Sequence, residues 1–257
     1  MVTDSTLPLA NAVVIVTGGR NGIGAAIVKT AQLQGAQVVS FDIDQSPQQK
    51  WPAEDGNLRP TLYLHVDVTK EDQLASAVAE VLSQFGRING LVNNAGRNSF
   101  GDATTMSESD WDEFMDLDLK AAWLCAKAIL PSLLQNAASA IVNISSLHSL
   151  MTAENFFPYA AAKAGLIGLT KSMALDFGAR GVRVNAVSPG YVDTDLARNY
   201  FAARPEELER VLSNHPMGRI GTTGEIAEVV CFLLSSKASF VTGSNWVIDG
   251  GLGSRFA

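Results

Sequence analysis

The amino-acid sequence predicts an α/β protein, a single domain built on a doubly wound parallel sheet with helices on both faces. Apolar runs of strand length alternate with segments of helical periodicity along the 257 residues, which is typical of strand–helix–strand units. The strand segments are apolar at nearly every position, as expected of parallel strands covered on both faces. Right-handed crossovers between such strands produce an open, doubly wound sheet of the Rossmann type.

The predicted strands are short apolar runs bounded by glycine, proline or polar residues. They cover residues 12–17, 36–42, 61–68, 90–96, 140–146, 182–190 and 245–251. The predicted helices have apolar residues at spacings of three and four. They cover residues 22–35, 70–85, 107–135, 157–178 and 223–236. Ser107 and Asp110 are expected to cap the third helix.

Two longer segments carry no clear periodicity. Residues 43–60 contain Pro47, Pro52 and Gly56 and are predicted to form a surface loop. Residues 192–222 are predicted to be irregular and to form the substrate loop, because they follow the carboxyl end of a strand, where open α/β sheets bind ligands. No linker or repeat divides the chain, so residues 1–257 are expected to form one domain.

Composition excludes several classes of function. The net charge of −7 disfavours nucleic acid and anionic membrane as partners, because an acidic surface attracts neither. No segment approaches the roughly 20 apolar residues that a membrane-spanning helix needs, and the amino terminus lacks a signal-peptide pattern. A cytoplasmic location is therefore expected. The two cysteines, Cys125 and Cys231, are far apart and are predicted to be reduced core thiols.

A glycine-rich turn joins the first strand to the first helix. The segment from Gly18 to Gly24 has the spacing G-x-x-x-G-x-G. Glycines there allow backbone N–H groups to approach a pyrophosphate, and the helix amino terminus favours negative charge. Asp42 ends the next strand, 24 residues after Gly18. Together these features predict a dinucleotide site.

The residues near Asp42 favour NAD over NADP as the cofactor. A carboxylate at that position accepts hydrogen bonds from the adenosine ribose and repels a 2′-phosphate. Asp44 follows it, and no Lys or Arg occurs between residues 36 and 49. Arg20, in the glycine turn, is the one residue that could instead face a 2′-phosphate.

Lys163 follows Tyr159 by four positions on a predicted helix, so the two side chains share a face. A free tyrosine has a pKa of about 10, and a nearby ammonium favours the phenolate form of such a group. Tyr159 is therefore predicted to be a catalytic acid and base. Ser146, at the end of a buried strand, could donate a hydrogen bond to a substrate oxygen at the same place.

The order and spacing of these motifs resemble the short-chain dehydrogenase/reductase family from about residue 10 to 251. The matching segments are TGGRNGIG (17–24), Asp42, DV (67–68), NNAG (93–96), NISS (143–146), YAAAK (159–163), RVNAVSPG (183–190) and DGG (249–251). Ser146 lies 13 residues before Tyr159, as the family's catalytic serine does. This spacing identifies Ser146, and not Ser145, as the matching residue.

The resemblance implies an NAD-dependent oxidoreductase and assigns roles to individual residues. Ser146 would orient the substrate oxygen, Tyr159 would take the hydroxyl proton while a hydride passes to the nicotinamide, and Lys163 would promote the phenolate. Tyr159 and Lys163 would also contact the nicotinamide ribose. The other expected cofactor contacts are Gly18, Arg20, Asn21, Gly22, Ile23, Gly24, Asp42, Asp67, Val68, Asn94, Ala95, Gly96, Pro189, Gly190, Val192 and Thr194.

One position departs from the family pattern. The family commonly has Asn where this chain has Asp118, in the segment 116–120. The resemblance implies that this residue belongs to the catalytic group and holds a helix kink and a water behind Lys163. A charged Asp118 would stabilise the ammonium of Lys163 and offset part of its field on Tyr159. A protonated Asp118 would instead act as a neutral mimic of Asn, and a third alternative is a side chain that points elsewhere.

Polar residues are expected around the substrate, because they occur where the family's substrate pocket lies. The expected substrate contacts are Asn98, Ser146, His148, Glu154 and Tyr191. Such groups suit a polyhydroxylated substrate better than a steroid or long acyl chain, so a sugar or polyol dehydrogenase is predicted. Two alternatives stay open: a 3-oxoacyl-thioester reductase, and a catalytically silent nucleotide-binding scaffold.

The chain is also expected to assemble with itself. The family commonly pairs the helices corresponding to 107–135 and 157–178 across a two-fold axis, and both carry enough apolar residues here to serve a core and an interface. A homotetramer is predicted, with a dimer as the alternative. No metal site is predicted.

Overall fold

A seven-stranded parallel sheet forms the centre of the structure, a computed structural model that describes residues 7–44, 61–136 and 138–255. Its strand order is β3-β2-β1-β4-β5-β6-β9, and a separate pair joins β7 to β8. The strands are β1 Val13–Thr17, β2 Gln37–Asp42, β3 Leu62–His65, β4 Gly90–Asn93, β5 Ser139–Ile144, β6 Val182–Pro189, β7 Val192–Asp193, β8 Gly221–Thr222 and β9 Asn245–Ile248. The predicted fold class is confirmed.

Eight α-helices connect and cover the strands within the described residues. They are α1 Gly22–Leu33, α2 Glu71–Phe85, α3 Glu108–Met115, α4 Ala121–Leu133, α5 Phe157–Phe177, α6 Asp195–Ala202, α7 Pro205–Asn214 and α8 Thr223–Leu234. Ser107 caps α3 as predicted, because its hydroxyl accepts the N–H of Asp110.

The topology brings the predicted site residues to one edge of the sheet. β1 pairs with β2 on one side and with β4 on the other, so the strand order reverses between β1 and β4. The carboxyl ends of strands at such a switch point form the crevice in which open α/β sheets bind ligands. The glycine turn follows β1, and the segment 94–96 follows β4 at the same edge.

Two apolar layers hold the helices to the sheet. One layer packs α2, α4 and α5 against one face, and the other packs α1 and α8 against the opposite face. Ile15 and Ile141 belong to the first layer, and Val14 and Val142 to the second. Neighbouring residues therefore contribute to opposite layers, because successive strand side chains point to opposite faces.

The predicted helix 107–135 is wrong as one continuous helix. A π-helical turn, Asp116–Lys120, separates α3 from α4. A π turn inserts an extra residue into the helical repeat and changes the direction in which side chains point. Here it turns Asp118 into the protein interior, a placement that the apolar periodicity of the segment did not indicate.

The prediction that residues 192–222 are irregular is also wrong. The segment contains β7, α6, α7 and β8. Thr194 caps α6, because its hydroxyl accepts the N–H of Ala197, and Pro205 is the first residue of α7. Proline is favoured at a first helical position because it has no N–H to leave unpaired. Thr194 and Pro205 are local signals of a helix start. They were missed because the prediction of helices relied on apolar periodicity.

Several predicted strands are shorter in the structure. The strands predicted at 61–68, 90–96, 140–146 and 245–251 end earlier, and their last residues form the loops that carry site groups. The predicted loop 43–60 falls largely outside the described residues. Cys125 and Cys231 are buried free thiols, as predicted. Within the described part of the chain, no helix has both the length and the apolar character that a membrane span requires.

Substitution of Ile141 tests the packing of the central sheet. Ile141 is fully buried on β5, so Ile141→Ala should lower the free energy of unfolding by about 2–5 kcal/mol through lost burial and the cavity left behind. Leu196→Ala is the matched control, because Leu196 is 63% exposed on α6, and it should change stability by less than about 0.5 kcal/mol. Urea unfolding measures both, and equal effects would contradict the assignment of the core.

Candidate active site

The glycine turn after β1 is held in a tight conformation. Gly18 has φ +63°, in the left-handed region that favours glycine. A Cβ on Gly24 would overlap the carbonyl oxygen of Gly18, so only glycine allows the turn to close at that point. The turn leads into the amino terminus of α1, where unpaired N–H groups and the helix dipole favour the binding of an anion. This geometry fits the predicted pyrophosphate contact.

Side chains from two neighbouring strands fasten this turn. The Asn94 amide donates hydrogen bonds to the carbonyl oxygens of Thr17 and Gly18, both at 3.0 Å. The Thr17 hydroxyl oxygen accepts the N–H groups of Asn94 and Ala95 at 3.0 and 2.9 Å. Thr17 was missed as a site residue, although its place immediately before the glycines was a usable signal.

Asp42 lies beside the glycine turn, as predicted. Its carboxylate accepts the backbone N–H of Arg20 at 3.2 Å and that of Asp44 at 3.0 Å. These bonds fix the carboxylate at the carboxyl end of β2 and leave it further acceptor capacity for ribose hydroxyls. The carboxylate of Asp67 instead accepts hydrogen bonds from its neighbour Thr69, through the backbone N–H and the side-chain hydroxyl.

The guanidinium of Arg20 is buried at the same end of the site. It lies 4.7 Å from the centre of the Tyr63 ring, and the residue is 9% exposed. Its Nε and Nη1 atoms have no hydrogen-bond partner among the described residues. Unpaired buried donors are costly, so this group is available to an anionic ligand.

The residues after β6 occupy the other side of the crevice. Gly190 donates its N–H to Ile248 at 3.0 Å, which ties the end of β6 to β9. The methyl group of Thr194 lies 3.4 Å from the position that a Cβ on Gly22 would occupy, so β7 approaches the glycine turn. The side chain of Val192 is buried in the apolar layer of α1 and α8, which leaves only its backbone for a cofactor contact.

Ser146, Tyr159 and Lys163 come together where β5 ends beside α5. Ser146 is buried, and its hydroxyl oxygen accepts the backbone N–H of His148 at 3.1 Å. The Ser145 hydroxyl instead donates to the carbonyl oxygen of Lys163 at 2.8 Å, so Ser145 fastens the strand to the helix. The Lys163 Nζ lies 5.5 Å from the centre of the Tyr159 ring. A phenol beside an ammonium in this way can exchange a proton with a bound hydroxyl group.

Asp118 contacts Lys163 directly. The Lys163 Nζ and Asp118 Oδ1 are 3.1 Å apart, and their side chains are 7% and 0% exposed. The backbone N–H of Arg97 donates to Asp118 Oδ2 at 3.1 Å. A Cβ on Gly96 would lie 2.7 Å from Asp118 Oδ1 and 3.3 Å from Lys163 Nζ. Only glycine at position 96 leaves room for this pair.

Two effects act in opposite directions on the carboxyl group of Asp118. Burial raises the pKa of Asp118, and the Lys163 ammonium together with the Arg97 N–H lowers it. The effect of burial is larger, so the pKa of Asp118 is raised above its ordinary value. The alternative in which the Asp118 side chain points elsewhere is wrong.

The predicted substrate residues divide into two groups. His148 packs edge-on to the Tyr159 ring, with ring centres 5.6 Å apart, and burial lowers the pKa of His148. Tyr191 packs against Phe201 at 5.9 Å, and burial raises the pKa of Tyr191. Asn98 and Glu154 are exposed, and neither takes part in a hydrogen bond among the described residues.

A buried polar ladder behind the site was not predicted. The Asn93 amide donates to the Asn143 side-chain oxygen at 2.8 Å, and the Asn143 amide donates to the Thr170 hydroxyl at 2.9 Å. Asn93 also donates to the carbonyl oxygen of Ala122 at 3.2 Å. The ladder links α4, β4, β5 and α5. Asn93 and Asn143 are polar residues on otherwise apolar strands, and such residues predict a buried hydrogen-bond network.

The chain is similar to known proteins along most of its length. Residues 18–253 match the family model described as enoyl-(acyl carrier protein) reductase. The chain is 38% identical to 2-(S)-hydroxypropyl-CoM dehydrogenase 3 of Xanthobacter autotrophicus, over 95% of this chain and 97% of that protein. It is 33% identical to the NAD-dependent glycerol dehydrogenase of Listeria innocua, over 96% of each. The aldohexose dehydrogenase of Thermoplasma acidophilum superposes with a TM-score of 0.89, at 34% identity and 97% coverage of both chains.

The pH dependence of stability tests the environment of Asp118. Because its pKa is raised in the folded state, the folded chain holds this proton more tightly than the unfolded chain. Stability therefore falls as pH rises from the ordinary value of 3.8 through the raised folded value. Asp118→Asn removes this trend, because Asn does not titrate. As the pH rises from about 4 to about 7, the wild type should lose stability relative to the variant. Urea unfolding across that range measures the difference.

Asp116→Asn is the matched control for this experiment. Asp116 lies in the same π turn, but it is partly exposed and pairs with Lys120 at 3.0 Å. Its substitution should give no comparable rise, because an exposed pair of this kind contributes little to stability. A stability difference for Asp118→Asn that stays constant with pH would show that Asp118 titrates as an ordinary carboxyl group.

Proposed function

The chain belongs to the short-chain dehydrogenase/reductase family, and on that premise we propose that it transfers a hydride between NAD(H) and a small polar alcohol or its ketone. Oxidoreduction with a nicotinamide cofactor is the activity that its relatives share. The observation that carries the proposal is the placement of Tyr159 and Lys163 on one face of α5, with Ser146 at the adjoining end of β5.

Each of the three residues has a distinct role in the proposed reaction. The Ser146 hydroxyl donates a hydrogen bond to the substrate oxygen and fixes its position. In the oxidation direction, the phenolate oxygen of Tyr159 accepts the proton of the substrate hydroxyl, and in the reverse direction the phenol returns it. Bound nicotinamide supplies the hydride acceptor. Lys163 supplies a fixed positive charge that favours the phenolate.

Asp118 acts as a positioning residue in this scheme. Its carboxylate holds the Lys163 ammonium in place from the side away from bulk solvent. A charged Asp118 would offset part of the field that Lys163 exerts on the phenol. The Lys163 Nζ lies 5.5 Å from the centre of the Tyr159 ring, and the charge of Lys163 dominates because Asp118 lies behind it. The raised pKa of Asp118 increases the fraction that is protonated at a given pH, which brings its behaviour closer to that of Asn.

NAD is the proposed cofactor because of the carboxylates at the end of β2. Asp42 is fixed beside the glycine turn by the N–H groups of Arg20 and Asp44. Its charge repels a 2′-phosphate, and its free acceptor sites suit ribose hydroxyls. The buried, unpaired donors of Arg20 support NADP as the second candidate, since a guanidinium binds phosphate well.

The substrate is proposed to be a sugar or polyol, held by the segment 192–222. The names of the glycerol and aldohexose dehydrogenases among its relatives support this class. The family model carries an acyl-carrier-protein reductase description, which supports an acyl-thioester reductase as the second candidate. The net charge of −7 opposes that alternative, because a negatively charged protein repels an acidic carrier at long range.

A homotetramer remains part of the proposal. Trp123 on α4 is 44% exposed, and Leu175 on α5 is almost fully exposed. Apolar side chains on these two helices suit a face that pairs with a second copy. The cytoplasmic location and the absence of a nucleic-acid partner stay predictions from composition.

Removal of the Tyr159 hydroxyl tests the chemical step. Tyr159→Phe should lower kcat by about 10²–10⁴-fold, because the group that transfers the proton is lost, while NAD still binds. Lys163→Ala should weaken both binding and turnover. Lys171→Ala is the control, since Lys171 is exposed two turns later on the same helix. Steady-state rates and cofactor titrations measure these effects, and near wild-type turnover by Tyr159→Phe would refute the proposed role.

Cofactor titrations of two variants test the choice of NAD. Asp42→Ala should weaken NAD binding about 10–100-fold, because hydrogen bonds to a charged group are lost, and it should narrow the preference for NAD over NADP. Arg20→Ala should weaken NAD binding less than Asp42→Ala does, because NAD has no 2′-phosphate for the guanidinium to bind. A wild-type preference for NADP that Arg20→Ala abolishes would show that Arg20 controls the site.

A further inference from the structure

A short 3₁₀ turn, Leu147–Ser149, follows Ser146 and holds it at two of its atoms. The Ser146 hydroxyl oxygen accepts the backbone N–H of His148 at 3.1 Å. The Ser146 carbonyl oxygen accepts the backbone N–H of Ser149 at 3.0 Å and the Ser149 hydroxyl at 2.6 Å. Ser149 therefore places two hydrogen-bond donors on the same oxygen of Ser146.

The residue before Ser146 is anchored as well. Ser145 donates its N–H to the carbonyl oxygen of Val187 on β6 at 2.7 Å, and its hydroxyl donates to the carbonyl oxygen of Lys163 on α5. Ser146 thus lies between two neighbours that are both fixed, Ser145 on one side and Ser149 on the other. Rotation of the Ser146 backbone is limited by contacts at both ends.

The hydroxyl proton of Ser146 is left for a ligand. A serine hydroxyl has one proton to donate and two lone pairs that accept. One lone pair of the Ser146 oxygen accepts the His148 N–H. In the part of the chain that the structure describes, no acceptor takes the Ser146 proton. The turn therefore presents a directed donor beside Tyr159.

Ser188 and Asn245 determine where the Ser149 proton points. The Ser149 hydroxyl oxygen lies 3.4 Å from that of Ser188, a fully buried residue of β6. The Ser188 hydroxyl donates to the side-chain oxygen of Asn245 on β9 at 2.7 Å. Because this bond uses the single proton of Ser188, Ser188 does not donate to Ser149. The Ser149 proton goes to the Ser146 carbonyl, since a contact of 2.6 Å is far stronger than one of 3.4 Å.

We infer that Ser149 is a positioning residue, whose hydroxyl holds Ser146 in the orientation from which Ser146 donates a hydrogen bond to the substrate oxygen. This inference rests on the proposed function and deepens it. In the oxidation direction, negative charge grows on the substrate oxygen as its proton moves to Tyr159. A donor that already points at this oxygen stabilises the charge without first having to reorient.

Removal of the Ser149 hydroxyl tests the inference. The Ser146 carbonyl then keeps only the N–H of Ser149, and Ser146 gains freedom to rotate. A displacement of about 1 Å can cost about 100-fold in rate, and the remaining contacts of the turn hold the displacement below that. Ser149→Ala should therefore lower kcat/KM by about 5–30-fold, while the Kd for NAD stays within about twofold.

The assay is NADH formation from a panel of glycerol, D-glucose, sorbitol and 2-butanol, and the best substrate of the wild type is used for every variant. Ser149→Thr keeps the hydroxyl and should stay within about threefold of the wild-type kcat/KM. Ser149→Cys keeps the volume but has only a weak S–H donor, so its loss should approach that of Ser149→Ala. Urea unfolding confirms that each variant is folded.

Ser235→Ala is the matched control. The Ser235 hydroxyl also donates to a carbonyl oxygen three residues earlier, that of Phe232, at 2.8 Å. Ser235 follows the last residue of α8, at the edge of the sheet where β9 begins, which is the edge opposite the site. Its substitution removes the same kind of hydrogen bond and should leave kcat/KM at the wild-type value.

A double-mutant cycle separates positioning from a merely structural role. If Ser149 acts through Ser146, Ser149→Ala should change kcat/KM by less than about twofold in the Ser146→Ala background. Single-turnover rates at excess enzyme extend the measurement to this slow background, and Ser149→Cys replaces Ser149→Ala in the cycle if the alanine variant unfolds. An equal loss in both backgrounds, or equal losses in Ser149→Thr and Ser149→Ala, would overturn the inference.

The outcomes separate this inference from the proposed function. Wild-type turnover of a panel member, with kcat/KM within about twofold of wild type in Ser149→Ala, would sustain the dehydrogenase proposal and refute the role of Ser149. No NADH or NADPH formation from any panel member, with folded protein that binds cofactor, would refute the proposed function and the inference with it.

Discussion

The ammonium of Lys163 and the carboxylate of Asp118 lie 3.1 Å apart where solvent is almost excluded, and much of the surrounding structure serves this contact. Placing either charge alone in such an environment is expensive, and breaking a buried pair by removing one partner typically costs about 3–5 kcal/mol. The chain meets this constraint with a π turn that directs Asp118 inward, an N–H from Arg97, and a glycine at position 96 that leaves room for both groups.

The same contact links the fold to the proposed chemistry. Lys163 is held from one side by Asp118 and from its backbone by Ser145, which ties α5 to β5. Because α5 is fixed, Tyr159 one turn earlier is fixed as well, beside Ser146 and the ring of His148. A rigid arrangement of this kind lowers the cost of orienting a substrate hydroxyl at the phenol. The crevice at the reversal of strand order brings the glycine turn to the same place.

The alternation of apolar strands and periodic helices was sufficient to predict the sheet, because burial on both faces leaves a strong pattern in the sequence. The family pattern predicted a role for Asp118 near Lys163. The contact between the two side chains depends on the π turn, which no feature of the local sequence predicted. Residues 192–222 lack an apolar stripe, so α6 and α7 were missed despite the cap at Thr194 and the proline that begins α7. Asn98 and Glu154 are exposed, and the polar substrate pocket expected from them stays a prediction, because their exposure is decided by how distant segments pack.

Hydride transfer from a substrate carbon to nicotinamide, next to Tyr159, is the central claim, and isotope transfer tests it most directly. The purified protein would be incubated with NAD and a secondary alcohol that carries deuterium on the carbinol carbon, and the reduced cofactor would be examined by NMR and mass spectrometry. The account predicts one deuterium on one face of the nicotinamide ring, and none when the deuterium is on the hydroxyl oxygen or in the solvent. Reduced cofactor without the carbon-bound deuterium, or with label drawn from solvent, would contradict it.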